Sequence, residues 1–294
     1  MLRMAVTGRS GQVALSLAER AEASGFELVT LARPEIDLAD PASVEAAVLA
    51  AAPDVVVSAA AYTAVDKAES EADLAARVNR DGPQALARAA TRLGIPIVHL
   101  STDYVFDGTK GSPYMETDPT SPLGVYGATK LAGEAAIASV TPDHAILRTS
   151  WVYSPFGSNF VKTMLRLAST RDRLTVVADQ FGRPSYAPDI AAAVFAVARR
   201  LIETEDESGR GVFHLTGTGD ANWYEFASAI IAGSIARGGR SVQVAPITTA
   251  DYPTPAKRPA DSRLDCSRLA SVHGIALPEW RGSLELCLDR LHAG

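Results

Sequence analysis

Met4-Ala5-Val6-Thr7-Gly8-Arg9-Ser10-Gly11-Gln12-Val13-Ala14 is the stretch that decides the fold of this chain. A short apolar run ends at Gly8, and a helical pattern of apolar residues continues to Gly25. A strand, a glycine turn and a helix in this order can bind a pyrophosphate, because the helix N-terminus offers free N–H groups and the glycines let the backbone come close. The spacing is Gly-x-x-Gly-x-x-Ala, so an ordinary βα turn is the alternative for this segment alone.

The alternation of strand and helix continues through the first half of the chain. Apolar strand patterns lie at 26–31, 54–58, 95–100 and 145–149. Helical patterns lie between them, notably at 41–51 and 71–93. Five βα units in about 150 residues predict an α/β protein with a doubly wound parallel sheet, the Rossmann arrangement.

The alternation loosens beyond residue 150, where a smaller α/β substrate domain is expected. Helical patterns there lie at 156–168, 189–201 and 223–237, and short strand patterns at 174–177, 211–215 and 242–244. We expect an NAD(P)-binding Rossmann domain over 1–150 and a substrate-binding domain over 151–294. The segment 187–216 is expected to return to the first domain.

The composition is typical of a globular protein. The chain has 294 residues, 47% of them hydrophobic and 21% charged, and a net charge of −6. An acidic chain of this kind argues against general binding of nucleic acid or of an anionic membrane. Cys266 and Cys287 have no His or Cys nearby at metal spacing, so neither a disulfide framework nor a metal site is expected. Without a signal peptide or an apolar run of about 18 residues, we expect a cytoplasmic protein.

A second informative stretch is Ser121-Pro122-Leu123-Gly124-Val125-Tyr126-Gly127-Ala128-Thr129-Lys130-Leu131-Ala132-Gly133-Glu134. Tyr126 and Lys130 lie four residues apart in a helical pattern, so their side chains share one face. An ammonium beside a phenol favours the phenolate, so Lys130 is expected to lower the pKa of Tyr126 and make it a usable proton donor. The alternative is a solvated Tyr–Lys pair on a helix surface.

The strand pattern at 95–100 delivers Ser101-Thr102-Asp103-Tyr104 at its carboxyl end. Ligands of open α/β sheets bind outside the carboxyl ends of strands, so the Thr102 hydroxyl is placed to hydrogen-bond a reacting oxygen. His99, inside the strand pattern, is expected to be a core or second-layer residue rather than a ligand.

The residues after the second strand pattern bear on the choice of cofactor. Sites selective for NAD usually place an acid there, to hold the ribose hydroxyls. This chain instead has Ala32 and Arg33, and Arg33 could meet a 2′-phosphate, which favours NADPH over NADH without excluding either. Asp37 and Leu38 lie close behind and could contact the adenine. Ala59, Ala60 and Ala61 are small enough for a cofactor to lie against the third strand.

Several separated motifs together resemble one family. They are Gly8-x-x-Gly11-Gln12, Ala59-Ala60-Ala61-Tyr62-Thr63-Ala64-Val65-Asp66-Lys67-Ala68-Glu69, Ser101-Thr102-Asp103-Tyr104-Val105-Phe106-Asp107-Gly108, Ser121-Pro122-Leu123-x-Val125-Tyr126-Gly127-x-Thr129-Lys130, Arg148-Thr149-Ser150-Trp151-Val152-Tyr153, Asn159-Phe160-Val161-Lys162-Thr163-Met164-Leu165 and Tyr252-Pro253-Thr254-Pro255-Ala256-x-Arg258-Pro259. The chain thereby resembles the extended short-chain dehydrogenase/reductases, and within them the branch that reduces 4-keto sugars carried on dTDP.

The resemblance implies a reaction and its catalytic residues. It implies that NADPH or NADH delivers hydride to C4 of dTDP-4-dehydro-L-rhamnose, giving dTDP-L-rhamnose. Tyr126 would protonate the C4 oxygen, Lys130 would lower the pKa of Tyr126 and hold the nicotinamide ribose, and Thr102 would be the third, hydroxyl member.

The resemblance also implies binding residues. On the cofactor side it implies, with Arg33, Ser101, Tyr126 and Lys130, the residues Gly8, Gly11, Gln12, Asp37, Leu38, Ala59, Ala60, Tyr62 and Asn79. On the substrate side it implies, with Thr102 and Tyr126, the residues Val65, Asp103, Tyr104, Trp151, Asn159, Arg183 and Arg258. The last three are placed near the nucleotide diphosphate. A homodimer is possible for such an enzyme.

Other functions stay open from the sequence. A 4,6-dehydratase on the same scaffold would resemble its family in carrying Thr-Asp-Glu where this chain has Thr102-Asp103-Tyr104. A 4-epimerase would retain bound NAD and often an acid where Arg33 stands. A cofactor-binding regulatory subunit without catalysis is the third alternative.

Overall fold

The computed structural model describes residues 1–293, and their strands fall into one large and three small sheets. The twelve strands are β1 Leu2–Thr7, β2 Phe26–Leu31, β3 Val55–Ser58, β4 Ile97–Thr102, β5 His144–Thr149, β6 Val152–Tyr153, β7 Arg173–Val177, β8 Phe181–Gly182, β9 Ser185–Tyr186, β10 Gly211–His214, β11 Ala221–Asn222 and β12 Gln243–Ile247.

Helices alternate with these strands. They are α1 Gln12–Arg20, α2 Pro41–Ala51, α3 Val65–Ala68, α4 Ala72–Ala76, α5 Gly82–Leu93, α6 Val125–Val140, α7 Phe160–Ala168, α8 Ala187–Glu203, α9 Trp223–Ile235, α10 Ser267–His273 and α11 Trp280–His292. Short 3₁₀ turns occur at Asp103–Val105, Glu207–Gly209 and Thr249–Asp251.

The large sheet confirms the predicted doubly wound α/β fold. Its strand order is β10-β5-β4-β3-β1-β2, and every neighbouring pair is parallel. One face packs on α1 and α8, and the other on α2, α5 and α6, so each face has its own apolar core. The order reverses between β1 and β3, and ligands of such sheets bind at the carboxyl ends beside this switch point.

The second half of the chain builds a further core next to the sheet. It consists of α7, α9, α11 and the small sheets β7·β12 and β6·β9, packed around Tyr153, Phe226 and Trp280. In contrast, α8 packs on one face of the large sheet, and β10 is one of its strands, paired with β5. The helices α10 and α11 had no counterpart among the sequence-based expectations.

The helix expected over 71–93 is wrong in one respect, since it is interrupted. A π-helical segment, Arg77–Asp81, separates α4 from α5 and carries Asn79. A π segment adds one residue to the turn, and such bulges are frequent at functional sites. The helix expected over 156–168 begins only at Phe160, because the Asn159 side chain accepts a hydrogen bond from the Lys162 N–H and caps it.

Gly133 marks the closest approach of α6 to this π segment, so Gly133→Ala is expected to destabilise the protein. A Cβ at Gly133 would lie 2.1 Å from the Asn79 carbonyl oxygen. Forcing atoms into a packed site costs about 1–3 kcal/mol. Gly282→Ala in α11 is the matched control, because no atom lies within 4 Å of its Cβ and alanine should gain about 0.5–1 kcal/mol over glycine. Urea unfolding of both variants measures the difference, and a stable Gly133→Ala protein would contradict the prediction.

Within residues 1–293, no helix has both the length and the apolar character needed to cross a membrane.

Candidate active site

The glycine turn after β1 closes against the end of β3. Gly8 has φ +92°, a conformation that side-chain-bearing residues rarely adopt, and a Cβ there would lie 3.1 Å from the Ala60 Cβ. The Thr7 hydroxyl oxygen accepts the backbone N–H groups of Ala59 and Ala60, each at 3.0 Å. Gly11 precedes α1 with no side-chain cap, so the first N–H groups of this helix are free to bind an anion.

A cleft of about 440 Å³ lies over this turn. It brings together eight of the predicted cofactor residues, namely Gly8, Gly11, Gln12, Ala59, Ala60, Ser101, Tyr126 and Lys130. It is also lined by residues that the sequence interpretation missed, namely Arg9, Ser10, Thr63, Gly157 and Ser158. Arg9 and Ser10 lie inside the glycine turn and could have been included, whereas 157–158 arrive from a segment about 150 positions later and carry no local signal.

An adjoining cavity, also about 440 Å³, extends the cleft past β2. It is lined by Arg33 and Leu38, both predicted to contact the cofactor, and by Arg9 from the glycine turn. Asp37 is directed elsewhere: its carboxylate accepts the Ala39 N–H at 3.0 Å and pairs with Arg33 at 3.4 Å. The Ala39 N–H holds the pKa of Asp37 below its usual range, with a smaller contribution from Arg33.

Gln12 and Asn159 form a clamp between the two halves of the chain. The Gln12 amide oxygen accepts hydrogen bonds from Ser154 Oγ at 2.8 Å and Asn159 Nδ2 at 2.9 Å, and its nitrogen donates to the Val152 carbonyl. Asn159 also caps α7. In the protein alone the Asn159 amide holds Ser154 and Gln12 at the glycine turn, and its expected place near the nucleotide diphosphate stays a prediction.

The Asn79 side-chain amide is likewise used in hydrogen bonds within the protein. Its oxygen accepts the Tyr62 N–H at 2.8 Å, and its nitrogen donates to the Tyr62 carbonyl and to Thr129 Oγ1 at 3.1 Å. The Tyr62 hydroxyl donates to Glu71 at 2.7 Å. Asn79 thus ties the segment after β3 to α6, and its predicted role at the cofactor stays a prediction.

The Thr102 hydroxyl lies next to Tyr126. Tyr126 lines both the cleft and a small cavity on its other side, where Val65 and Tyr104 also lie. Removal from water raises the pKa of Tyr126 to about 12, and the adjacent Thr102 hydroxyl opposes this rise. The phenol is therefore protonated throughout the physiological range.

Lys130 is buried beneath Tyr126 and points to β4. Its Nζ donates to the Leu100 carbonyl at 2.6 Å and contacts His99 Nε2 at 3.1 Å. Burial lowers the pKa of Lys130 to about 8, while Glu134 opposes this shift. The expectation that Lys130 lowers the pKa of Tyr126 is not met in this arrangement, because desolvation of the phenol dominates and the ammonium is engaged with His99 and Leu100.

Asp103 faces the protein interior rather than the cleft. Its Oδ1 accepts the Thr102 hydroxyl at 3.0 Å, and it is 2% exposed. Burial raises its pKa to about 6, which hydrogen bonds from Ser262 and Thr102 limit. In the protein alone this carboxylate orients the Thr102 hydroxyl, and a contact of Asp103 with the substrate stays a prediction. Tyr104, the next residue, stands edge-on to the Tyr126 ring with centroids 5.8 Å apart.

A third cavity of similar size, about 430 Å³, lies at the residues around Arg258. Arg258 lines it and forms a two-pronged ion pair with Asp66, with the shorter contact at 2.8 Å. Trp223 and Tyr252 contribute aromatic surface. The cavity can therefore accept an aromatic ring beside a cationic group.

Trp151 and Arg183 lie behind this cavity. Trp151 has φ +47° and stacks on Trp223 with centroids 3.6 Å apart. A Cβ on Gly182 would lie 2.4 Å from the Trp151 ring. Arg183 donates to Asp220 at 2.8 Å and to the Leu264 carbonyl at 2.6 Å. These contacts hold the guanidinium in the loop region of the protein alone, and the role of Arg183 at a nucleotide diphosphate stays a prediction.

Among residues 1–293, His, Cys, Asp and Glu side chains form no group of three or more that could hold a metal ion. Cys266 and Cys287 are both free.

Comparisons with known proteins agree with this geometry. The family model of the RmlD substrate binding domain matches residues 2–293. A dTDP-4-dehydrorhamnose reductase of Sinorhizobium fredii is 55% identical, over 96% of this chain and 95% of its own length. The crystal structure of a dTDP-4-dehydrorhamnose reductase from Clostridium acetobutylicum is 38% identical with a TM-score of 0.92, covering 99% of both chains.

A dTDP-4-dehydrorhamnose reductase from Bacillus anthracis, solved in complex with NADP, is 33% identical with a TM-score of 0.89, covering 98% of this chain and 99% of that one. These matches extend over essentially the whole length of both partners and confirm the resemblance drawn from the separated motifs. The chain belongs to the RmlD substrate binding domain family.

Proposed function

We propose that this chain reduces dTDP-4-dehydro-L-rhamnose to dTDP-L-rhamnose with NADPH as the hydride donor. The observation that carries the proposal is the position of Tyr126, which lines the glycine-turn cleft on one side and the Val65/Tyr104 cavity on the other. A proton donor at this junction can reach a sugar oxygen while the cofactor lies in the cleft. The family relatives named as this reductase support the same reaction.

The residues of the cleft fit a dinucleotide phosphate. The free N–H groups at the start of α1 and the open space at Gly11 would hold the pyrophosphate. Arg9 and Arg33 flank the adjoining cavity and would meet a 2′-phosphate. NADPH supplies the hydride when bound, and Lys130 would hold the ribose next to the nicotinamide.

Tyr126 acts as the proton donor in this proposal. Hydride addition to a ketone builds negative charge on oxygen, which aligned donors stabilise in a site with little water. A phenol with a pKa of about 12 keeps its proton at neutral pH and gives it up only as that charge develops. Thr102, whose hydroxyl donates to Asp103, would help to position the phenol beside it.

The cavity around Arg258 would hold the dTDP part of the substrate. Arg258 lines this cavity and would approach the diphosphate while it stays paired with Asp66, and Trp223 and Tyr252 offer faces for a base. We infer that residues 1–150 with 187–216 form the cofactor unit and that the remaining residues of 151–294 form the substrate unit. This division agrees with the placement of α8 and β10 at the large sheet.

The decisive experiment supplies purified protein with NADPH and dTDP-4-dehydro-L-rhamnose. Oxidation of NADPH with formation of dTDP-L-rhamnose is the expected result. Conversion of a 4-hydroxyl sugar nucleotide without net NADPH consumption would instead indicate an epimerase, and elimination of water from dTDP-glucose a dehydratase. Cofactor binding without turnover of any keto sugar would replace the proposal with a regulatory role.

Arg33→Ser is expected to raise the KM for NADPH about tenfold while leaving the KM for NADH nearly unchanged, since one charge-assisted hydrogen bond to the 2′-phosphate is lost. Steady-state kinetics with both cofactors measure the effect. Arg92→Ser is the control, because Arg92 is a similarly exposed arginine paired with Glu45. An equal change for both cofactors would contradict the assignment of Arg33.

A further inference from the structure

A polar pair interrupts the apolar face of the sheet just before the cleft. Side chains alternate along a strand, so Val56 and Ser58 of β3 share a face, as do Ile97 and His99 of β4. Val56 and Ile97 belong to the apolar core beneath α2 and α5. The next register pair, Ser58 and His99, is polar although it is 1% and 0% exposed. A buried polar pair is retained only where hydrogen bonds satisfy it.

His99 connects this pair to Lys130. Its Nδ1 lies 2.9 Å from Ser58 Oγ, and its Nε2 lies 3.1 Å from Lys130 Nζ. An ammonium can only donate, so Nε2 accepts and the ring proton sits on Nδ1, which donates to Ser58. Burial, and next the charge of Lys130, hold the pKa of His99 well below its usual value. The ring therefore stays neutral and remains an acceptor.

We propose that His99, held by Ser58, is a positioning residue of the reductase: with the Leu100 carbonyl it fixes the Lys130 ammonium, and keeps it charged, at the floor of the cofactor cleft. This inference rests on the proposed function for its catalytic consequence, although the contact itself is present in the protein alone. Two acceptors below the ammonium leave its third proton for a group above it, on the side of Tyr126 and the cleft.

The charged and polar groups around Lys130 come from three elements, namely α6, β5 and β4. Glu134, one turn later on α6, favours the ammonium and is itself held by Arg148 of β5 at 2.7 Å. His144 of β5 acts on His99. On β4, His99 and the Leu100 carbonyl are the direct contacts. His99 is thus the neutral side chain that touches the ammonium from below, and its removal changes the solvation of Lys130 without changing the net charge.

Removal of the His99 ring, which accepts a hydrogen bond from Lys130, is expected to change the pKa of Lys130 in one direction. The charged form of Lys130 loses a hydrogen bond, so its pKa falls below the present value of about 8. Because the ammonium is the form that holds the ribose, activity declines as pH rises through this pKa. The decline in a variant without the acceptor therefore begins at a lower pH.

The test compares His99→Leu, His99→Gln and Ser58→Ala with Ile97→Val, a control on the same strand face that does not contact Lys130. Side-chain NMR titration of Lys130 in the ligand-free proteins is the first readout. For His99→Leu we expect the midpoint to fall by about one pH unit, as one charge-assisted hydrogen bond is lost. Glutamine, which offers an amide acceptor, should recover part of that shift, and Ile97→Val should show none.

Kinetics provide the second readout. His99→Leu should lose about tenfold in kcat, with the alkaline limb of the pH profile moved down as Lys130 moves. Ser58→Ala retains the ring, so it should fold and show a smaller shift in the same direction; an unchanged titration there overturns the proposal even if His99→Leu does not fold. So does a His99→Leu protein that titrates like the wild type. Should the wild type reduce no keto sugar, the proposed function fails, while the NMR titration still decides the role of His99.

Discussion

Tyr126→Phe is expected to lower turnover by a factor of about 10² to 10⁴, the range for losing a general acid. The Tyr126 phenol lies between the cleft and the Val65/Tyr104 cavity. The Thr102 hydroxyl, the nearest alternative proton donor, already donates its hydrogen bond to Asp103. Phenylalanine keeps the ring and its edge-on contact with Tyr104, so the site should keep its shape. The expected loss is therefore in kcat.

Stopped-flow measurement of NADPH oxidation and titration of NADPH binding separate chemistry from affinity. The dissociation constant should stay close to that of the wild type, because the dinucleotide contacts proposed at Gly11, Arg9 and Arg33 are untouched. Tyr114→Phe is the matched control: it removes a phenol bonded to Asp107 at 2.8 Å, away from the cleft, and should leave kcat intact. A Tyr126→Phe enzyme with near-normal turnover would show that the proton comes from another group.

Glu134→Ala is expected to cost about 3–5 kcal/mol of unfolding free energy, the usual penalty for stranding a buried charge. Glu134 and Arg148 are 4% and 5% exposed in their side chains and form two hydrogen bonds, at 2.9 and 2.7 Å. Ser101 also donates to Glu134. Without the carboxylate, the Arg148 guanidinium would remain inside the protein with no counter-charge.

The control is Glu45→Ala, which breaks the more exposed pair with Arg88 at 2.7 Å and should cost about 0–1 kcal/mol. The double variant Glu134→Met/Arg148→Met removes both charges and should recover most of the loss, since apolar replacement of a buried ion pair is often neutral. Denaturant unfolding of all three measures the difference. A loss for Glu134→Ala no larger than for Glu45→Ala would mean that water reaches Arg148.

The elements that the sequence predicted well are those whose signal is local. The strand–glycine–helix stretch at 4–14, the helix at 41–51 and the Tyr126/Lys130 face depend on residues within a few positions of one another. Repeated βα units then imply the parallel sheet, which the structure confirms. The division into domains and the assignment of individual site residues stay predictions to be tested by the variants above.

Contacts between distant segments account for what the sequence did not predict. Gln12 and Asn159, two residues predicted to bind ligands, are 147 positions apart and are joined by a hydrogen bond. Arg183 donates a hydrogen bond to the Leu264 carbonyl, 81 positions away. No local sequence pattern predicts such hydrogen bonds. The partner in each is a backbone carbonyl or a side-chain amide, and such groups occur throughout the chain.

The sequence by itself determined the doubly wound sheet, the family and the stretch on which a reductase site would be built, since periodicity and motif spacing carry that information. Only the tertiary structure decided which way the Lys130 ammonium points. That direction depends on His99 and Leu100, which reach it from β4 across about 30 positions of chain, at 3.1 and 2.6 Å. Burial of the phenol and the ammonium, a property of the packed protein alone, moves their two pKa values in opposite directions.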